Sequence, residues 1–320
     1  MRQEPGPDRD PRLEPVYLTG PTASGKTAVG VALARLLRAE VIALDSMTVY
    51  RGMDVGTAKP TLGEREGIPH HLLDVLDPWE AASVADYRAR ALAIVDRLRS
   101  EGRRALFVGG TPLYLKAMLR GLFDGPGADP SLRDDLEREA GPGTEGDLLL
   151  HDRLARLDPG GAARLPVGDR RRVIRALEVF TLTGRPIASF RNEHDAPATG
   201  TLAFAIARPR PVLVDRIDRR AAAMFAGGLV DEVRRLLDAP KPIGETARQG
   251  AGYLETIAML EGDLSEAEAL VRTQARSRQL AKRQSTWFRG LAEIRPIPVG
   301  DYEHPEAVAE RLLRLVEAGG

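Results

Sequence analysis

The sequence contains no cysteine. Disulfides and thiolate metal centres are therefore excluded. No run of 18 apolar residues occurs, which argues against a membrane span. The first fifteen residues, Met1 to Pro15, are polar and proline-rich and lack the apolar stretch of a signal peptide. They are expected to form a disordered lead-in. Net charge is also missing: 46 Lys+Arg balance 46 Asp+Glu. Zero net charge by itself argues against a nucleic-acid partner, but the distribution is uneven. Basic residues gather at Arg170-Arg171-Arg172, at Arg175 and from Arg272 to Arg289. Lysine is scarce, occurring only at 26, 59, 116, 241 and 282, so a lysine inside a motif is more informative than an arginine.

What is present is an ordinary globular composition, 43% hydrophobic and 29% charged, over 320 residues. That length suits one large domain or two modest ones. Val16-Tyr17-Leu18-Thr19 reads as a buried strand ending in Gly20, and Thr27 to Leu37 has helical spacing. Val41 to Leu44 reads as a second strand with Asp45-Ser46 at its end. A helix is expected over Ala85 to Arg99. A third strand, Ala105 to Val108, closes in Gly109-Gly110-Thr111. Strands alternating with helices predict an α/β fold: a P-loop NTPase-like core with a parallel sheet and flanking helices. Ligands of such sheets bind beyond the C-terminal strand ends, so Gly20, Asp45 and Thr111 are expected to converge. From Gly121 the texture changes to turns and helices, including Arg170 to Leu182. Residues 125–200 are read as a mainly helical insertion between core segments 16–124 and 201–320. Val212 to Arg289 is mainly helical with breaks at Gly227-Gly228 and Gly262, and Val308 to Val316 forms a last amphipathic helix.

Gly20-Pro21-Thr22-Ala23-Ser24-Gly25-Lys26-Thr27 matches the phosphate-loop pattern, between the strand and helix that such a loop requires. Its backbone N–H groups and helix N-terminus suit phosphate oxygens. Lys26 supplies a point charge and Thr27 a hydroxyl for Mg²⁺. The loop alone does not name its cargo. An ATP-dependent kinase of a nucleotide or small molecule remains open, as does a non-catalytic RNA-binding protein. A kinase usually carries an aspartate at the end of a buried strand, whereas Ala105 to Val108 ends in Gly-Gly-Thr. Asp45 is the best acid available, either as a Mg²⁺ ligand, a general base or a turn former.

Longer strings point further. These are Gly20 to Thr27, Asp45-Ser46, Tyr50 to Asp54, Gly56-Thr57-Ala58-Lys59-Pro60, Pro69-His70-His71-Leu72, Val108 to Thr111 with Leu113-Tyr114, Arg175 to Val179, Gly252-Tyr253, Ala281 to Gln284 and Thr286 to Arg289. In this order they resemble the tRNA dimethylallyltransferases, also called tRNA isopentenyltransferases, over about residues 16 to 290. The resemblance implies transfer of a dimethylallyl group from dimethylallyl diphosphate to N6 of an adenine beside the tRNA anticodon. The loop would then hold the diphosphate leaving group, with Mg²⁺ as cofactor. Asp45 resembles the family's general base, Thr111 a residue that hydrogen-bonds the bridging oxygen, and Arg220 an arginine that contacts diphosphate. A cytoplasmic monomer is expected. There are departures: Thr48 stands where many members have Gln, Gly250-Ala251 where Ala-Ile is common, and Leu254 where Lys is common.

The same resemblance implies RNA contacts at two basic segments and near the base. The first runs Arg171, Arg172, Val173, Ile174 and Arg175. The second comprises Lys282, Arg283, Gln284, Trp287 and Arg289, where basic groups would meet phosphates and the aromatic an unpaired base. Asp45, Ser46, Met47, Thr48, Gly252 and Tyr253 complete the expected surface for the tRNA anticodon arm. His70 and His71 are read as hydrogen-bonding residues, not metal ligands.

Overall fold

The protein is described by a computed structural model covering residues 10–122, 125–190 and 200–319. It divides into two compact units, residues 1–119 with 198–320, and residues 120–197.

The first unit is built on six parallel strands: β1 (Val16–Thr19), β2 (Ala39–Ala43), β3 (His70–His71), β4 (Arg104–Gly109), β5 (Leu202–Ala207) and β6 (Ile294–Pro298). They lie in the order β3-β2-β4-β1-β5-β6. Its helices are α1 (Lys26–Leu37), α2 (Val84–Ser100), α3 (Pro112–Arg120), which runs to the unit boundary, α8 (Arg210–Ala226), α9 (Leu229–Leu237), α10 (Glu245–Arg248), α11 (Tyr253–Leu260), α12 (Glu266–Arg289) and α13 (Pro305–Glu317). The second unit holds α4 (Pro130–Ala140), α5 (Gly143–Leu157), α6 (Pro159–Ala162) and α7 (Arg170–Thr183).

Strand alternation sorts the sheet's side chains into two cores. On one face Val16, Leu18, Val41, Leu106 and Phe204 pack against Val29 and Leu33 of α1 and Val308, Leu312 and Val316 of α13. On the other, Tyr17, Ile42, Phe107 and Ala203 meet Ala91, Val95 and Leu98 of α2 and Phe288 of α12. Each such Leu, Phe or Val, fully buried, contributes about 1.5–3 kcal/mol. Tyr17 stacks on Phe107 with ring centroids 4.7 Å apart. A third cluster joins Val49, Tyr50 and Met53 to Leu229, Val233, Tyr253 and Ile257. It fixes the segment after β2 against α9 and α11.

Three results differ from the sequence reading, the first being β3, whose two histidines were read only as hydrogen-bonding residues. Of the lead-in expected to lack order, residues 1–9 lie outside the described residues. Residues 10–15 instead carry a short 3-10 turn at Pro11–Leu13, tied to the sheet by Arg104, whose guanidinium donates to Glu14 O at 2.9 Å and Pro11 O at 3.0 Å. β6 was not anticipated, because its sequence Ile-Arg-Pro-Ile-Pro carries two prolines. It lies at the sheet edge, where missing ladder donors are tolerated.

The insertion has its own core of Leu136, Leu150, Leu154, Val173, Ile174 and Leu177. Buried Glu178 accepts from Asp129 N at 2.6 Å and Arg133 Nη2 at 2.8 Å, and pairs with Arg175. These donors hold its carboxyl below the usual range although burial opposes them.

Candidate active site

β1 runs into Gly20, and Gly25, at φ 89°, turns the chain into α1. No side chain caps α1, whereas Ser83 caps α2 and Ser265 caps α12. The first N–H groups of α1 therefore stay open to an anion, and the helix dipole adds partial positive charge. Lys26 Nζ donates to Pro21 O at 3.3 Å. Burial pulls its ammonium down to about 8; the Asp45 carboxylate partly offsets this and Arg220 adds to it.

The loop is gripped from α8, α12 and the turn after β5. Arg216 Nε donates to Ala23 O and Arg208 Nε to Ser24 O, each at 2.8 Å. Arg220 donates to Thr22 Oγ1. Thr22 N–H donates to Gln284 Oε1 at 2.8 Å. In a trans peptide the carbonyl and the following N–H point in opposite directions. Holding Ser24 O therefore turns the Gly25 N–H the other way. Ala23 adopts φ 62°, unusual for a residue with a Cβ. It is held there by packing against Leu213, Ile217 and Ala281. Arg208 and Arg216 were missed by sequence reasoning, because nothing marks them out among so many arginines.

The Asp45 and Thr111 turns interlock beyond β2 and β4. Leu44 N donates to Val108 O at 2.9 Å, and Thr111 N to Leu44 O at 3.2 Å. Ser46 N donates to Thr111 Oγ1 at 3.0 Å. Asp45 Oδ1 accepts from Met47 N at 2.9 Å and Thr48 N at 3.4 Å. Gly109 has to be glycine: a Cβ there would lie 2.1 Å from Leu44 O. Sequence expectation and structure agree that Gly20, Asp45 and Thr111 stand at neighbouring strand ends.

These turns border an open cleft. Thr22, Lys26, Thr27, Asp45 and Arg220 form its polar part, and Val31, Val41, Leu73 and Val108 line it with hydrocarbon. Burial lowers the pKa of Arg220 and Asp45 opposes that shift; a guanidinium remains charged regardless. Thr57, Ala58 and Pro60 supply another wall. That segment is fixed by Glu232, which accepts from Asp54 N and Val55 N at 2.8 Å, Gly56 N at 3.1 Å and Tyr253 OH at 2.6 Å. It is fixed again by buried Lys59, which donates to Tyr50 O at 2.7 Å and to Asp54 and Asp74 at 2.6 Å. His70 Nδ1 lies 2.8 Å from Ile68 O, and His71 Nε2 meets Glu40.

The expected RNA residues separate by exposure. Lys282, Arg283, Trp287 and Arg289 are exposed on α12, and Arg171 and Arg172 on α7. Ser46 and Met47 are half-buried, and Thr48 is buried at the cleft. Five others of the expected residues are buried. Val173 and Ile174 lie in the insertion core, Gly252 and Tyr253 are buried beside α9, and Gln284 is buried against the phosphate loop. Arg175 is likewise engaged by Glu178 and by Pro126 O at 2.6 Å.

A parallel sheet whose phosphate loop opens on a cleft with a facing carboxylate defines a P-loop enzyme. The family model described as IPP transferase matches residues 48–291. The tRNA dimethylallyltransferase of Pelotomaculum thermopropionicum is 43% identical over 96% of this chain and 98% of its own length. That of Geobacter sulfurreducens is 46% identical over 86% and 88%. Among solved structures, the full-length tRNA isopentenylpyrophosphate transferase of Bacillus halodurans has a TM-score of 0.71 at 38% identity, covering 96% of this chain and 98% of that one. A eukaryotic dimethylallyltransferase acting on tRNA has a TM-score of 0.76 at 26% identity, covering 93% and 77%. The chain belongs to the IPP transferase family. The kinase alternative finds no support among these relatives.

Proposed function

We propose that the protein transfers the dimethylallyl group of dimethylallyl diphosphate to N6 of the adenine beside a tRNA anticodon. One observation carries this reading: Lys26, Arg220 and Asp45 share a cleft that Val31, Val41, Leu73 and Val108 also line. Such a cleft suits a donor with a polyanion at one end and five carbons at the other.

The N6 lone pair attacks the allylic carbon, the carbon–oxygen bond breaks, and diphosphate departs with the electron pair. Asp45 accepts the N6 proton. Its Oδ1 is engaged by two backbone amides, while Oδ2 accepts no hydrogen bond among the described residues. Negative charge grows on the leaving oxygens. Lys26, Arg220 and the open amides of α1 therefore stabilise the transition state more than the ground state. Thr111 Oγ1, which accepts the Ser46 N–H, would meet the bridging oxygen.

Mg²⁺ fits this donor set. The described residues contain no cluster of three acidic or histidine side chains, and Mg²⁺ is commonly held by few protein oxygens plus substrate phosphates. Thr27 Oγ1 would hold it together with the diphosphate, and it would neutralise charge on the leaving group. Exposed Lys282, Arg283 and Arg289 would neutralise phosphates of the anticodon arm, with Trp287 as a stacking platform and Arg171 and Arg172 as further contacts. A cytoplasmic location accords with a tRNA substrate. No helix among the described residues is long and apolar enough to cross a membrane.

The test is incubation of the protein with Mg²⁺, unmodified tRNA and either labelled dimethylallyl diphosphate or labelled ATP. Mass spectrometry of the digested RNA should show N6-dimethylallyladenosine with the first donor. Release of phosphate from ATP with unmodified adenosine in every sample would overturn the reading.

A further inference from the structure

Helix α12 has two faces with different business. Lys282, Arg283 and Trp287 are exposed. Ala281, Gln284 and Phe288, at helical spacing, are buried. Gln284 uses both ends of its amide on the catalytic loops. Its Oε1 accepts the Thr22 N–H at 2.8 Å, and its Nε2 donates to Gly110 O at 2.6 Å. It thus bridges the phosphate loop and the turn that carries Thr111, two segments far apart in sequence. The contact is tight: a Cβ on Gly110 would lie 2.7 Å from Gln284 Nε2 and 3.3 Å from Lys26 Nζ.

Thr22 is thereby fixed at two points, its N–H by Gln284 and its hydroxyl by Arg220. The two anchors come from helices that are themselves tied together. Arg278 of α12 pairs with Asp218 of α8 at 2.6 Å, and Gln274 Nε2 donates to Asp218 O at 3.3 Å. Displacing α12 would shift Gln284 and strain the α8 anchors on the same loop. Buried amides have few alternative partners, so the loop must follow the helix or lose hydrogen bonds.

We infer that Gln284 is a positioning residue that couples RNA binding on the outer face of α12 to the diphosphate grip of the loop. This rests on the proposed transfer to tRNA. Engaging the exposed face would settle α12 and hence the Thr22 and Gly110 geometry, so each substrate would bind more tightly when the other is present. By linkage the enhancement is the same in both directions.

The experiment measures the dissociation constant of labelled unmodified tRNA with and without Mg²⁺ and inorganic diphosphate, in wild type, Gln284→Met and Gln284→Glu. Gln284→Met keeps side-chain length and removes both hydrogen bonds. Gln284→Glu retains an acceptor for the Thr22 N–H and loses the donor to Gly110 O. Circular dichroism confirms folding; if Gln284→Met unfolds, Gln284→Glu alone decides. In wild type, diphosphate should tighten tRNA binding. In the variants tRNA affinity without diphosphate should stay within about twofold, the tightening should fall toward none, and the donor KM should rise about tenfold. An undiminished tightening in the folded variants overturns the inference, as does wild type without any tightening. Weakened tRNA binding with an unchanged donor KM would make Gln284 an RNA contact instead. Prenylation by wild type is measured in the same samples. Transfer with undiminished tightening in the variants overturns only the coupling, whereas no transfer overturns the proposed function as well.

Discussion

Two glycine-containing loops bearing lysines flank the cleft, and they are wired in opposite senses. In the phosphate loop, cationic side chains hold the carbonyls: Arg216 on Ala23 and Arg208 on Ser24. The amides at the start of α1 stay uncapped. In the loop from Asp54 to Lys59, a carboxylate holds the amides, Glu232 on residues 54, 55 and 56. Its lysine is buried between two aspartates. The first loop presents unsatisfied positive potential to a ligand; the second is neutralised from within and serves as wall. A Gly-and-Lys string thus suits an anion only where the amides at its helix start stay uncapped and its cation is not neutralised by a carboxylate.

The contrast is sharpest in Lys26→Ala against Lys59→Met. Lys26→Ala should lower kcat/KM about 10²–10³-fold with no loss of stability near pH 7, since it removes a buried charge aimed at the leaving group. Near-normal transfer by this variant would break the comparison. Lys59→Met should behave the other way, losing on the order of 2 kcal/mol in urea unfolding. That is below the usual figure for a broken buried pair, because Asp54 and Asp74 are partly exposed and can rehydrate. Glu232→Gln should cost a similar amount, about 2 kcal/mol, by losing charge-assisted bonds to three amides. Its donor KM should rise only as far as the Thr57–Pro60 wall loosens.

Titration offers a third contrast. Burial places the Lys26 ammonium at about 8, below its ordinary 10.5. On the proposed function diphosphate binding needs the ammonium, so its dissociation constant should climb above pH 8, approaching about tenfold per pH unit. Stability runs oppositely. Lys26 subtracts from stability below pH 8, where the folded loop holds a disfavoured charge, and that penalty fades as pH rises toward 10.5. Isothermal titration of Mg²⁺-diphosphate from pH 7 to 9 checks the first trend; a flat profile, matched by Lys26→Ala, would contradict it. The smallest effect belongs to Tyr253→Phe, which loses only the hydrogen bond to Glu232, about 1 kcal/mol by urea unfolding.

Much of the sheet and the phosphate loop was legible from sequence, because β1, β2 and β4 are apolar runs ending in turn-forming residues. The edge strand β6 was not, since Pro296 and Pro298 suppress the usual strand signal, nor was the two-residue edge strand β3. Within the site, Lys26 and Asp45 stood out by scarcity and position. Arg208 and Arg216 did not, because their role depends on meeting carbonyls nearly two hundred residues away. Gln284 and Tyr253 stand in strings shared with a family, and such strings hold buried side chains beside exposed ones. The spacing of Ala281, Gln284 and Phe288 was the available signal for a buried face.

The placement of β1 has a consequence for how the chain is made. Its two neighbours are β4, complete by Gly109, and β5, which begins only at Leu202. Between them the ribosome delivers residues 120–197, whose buried cluster, among the described residues, draws on none outside that span. During synthesis β1 therefore waits half-paired while the insertion emerges with everything its own core needs.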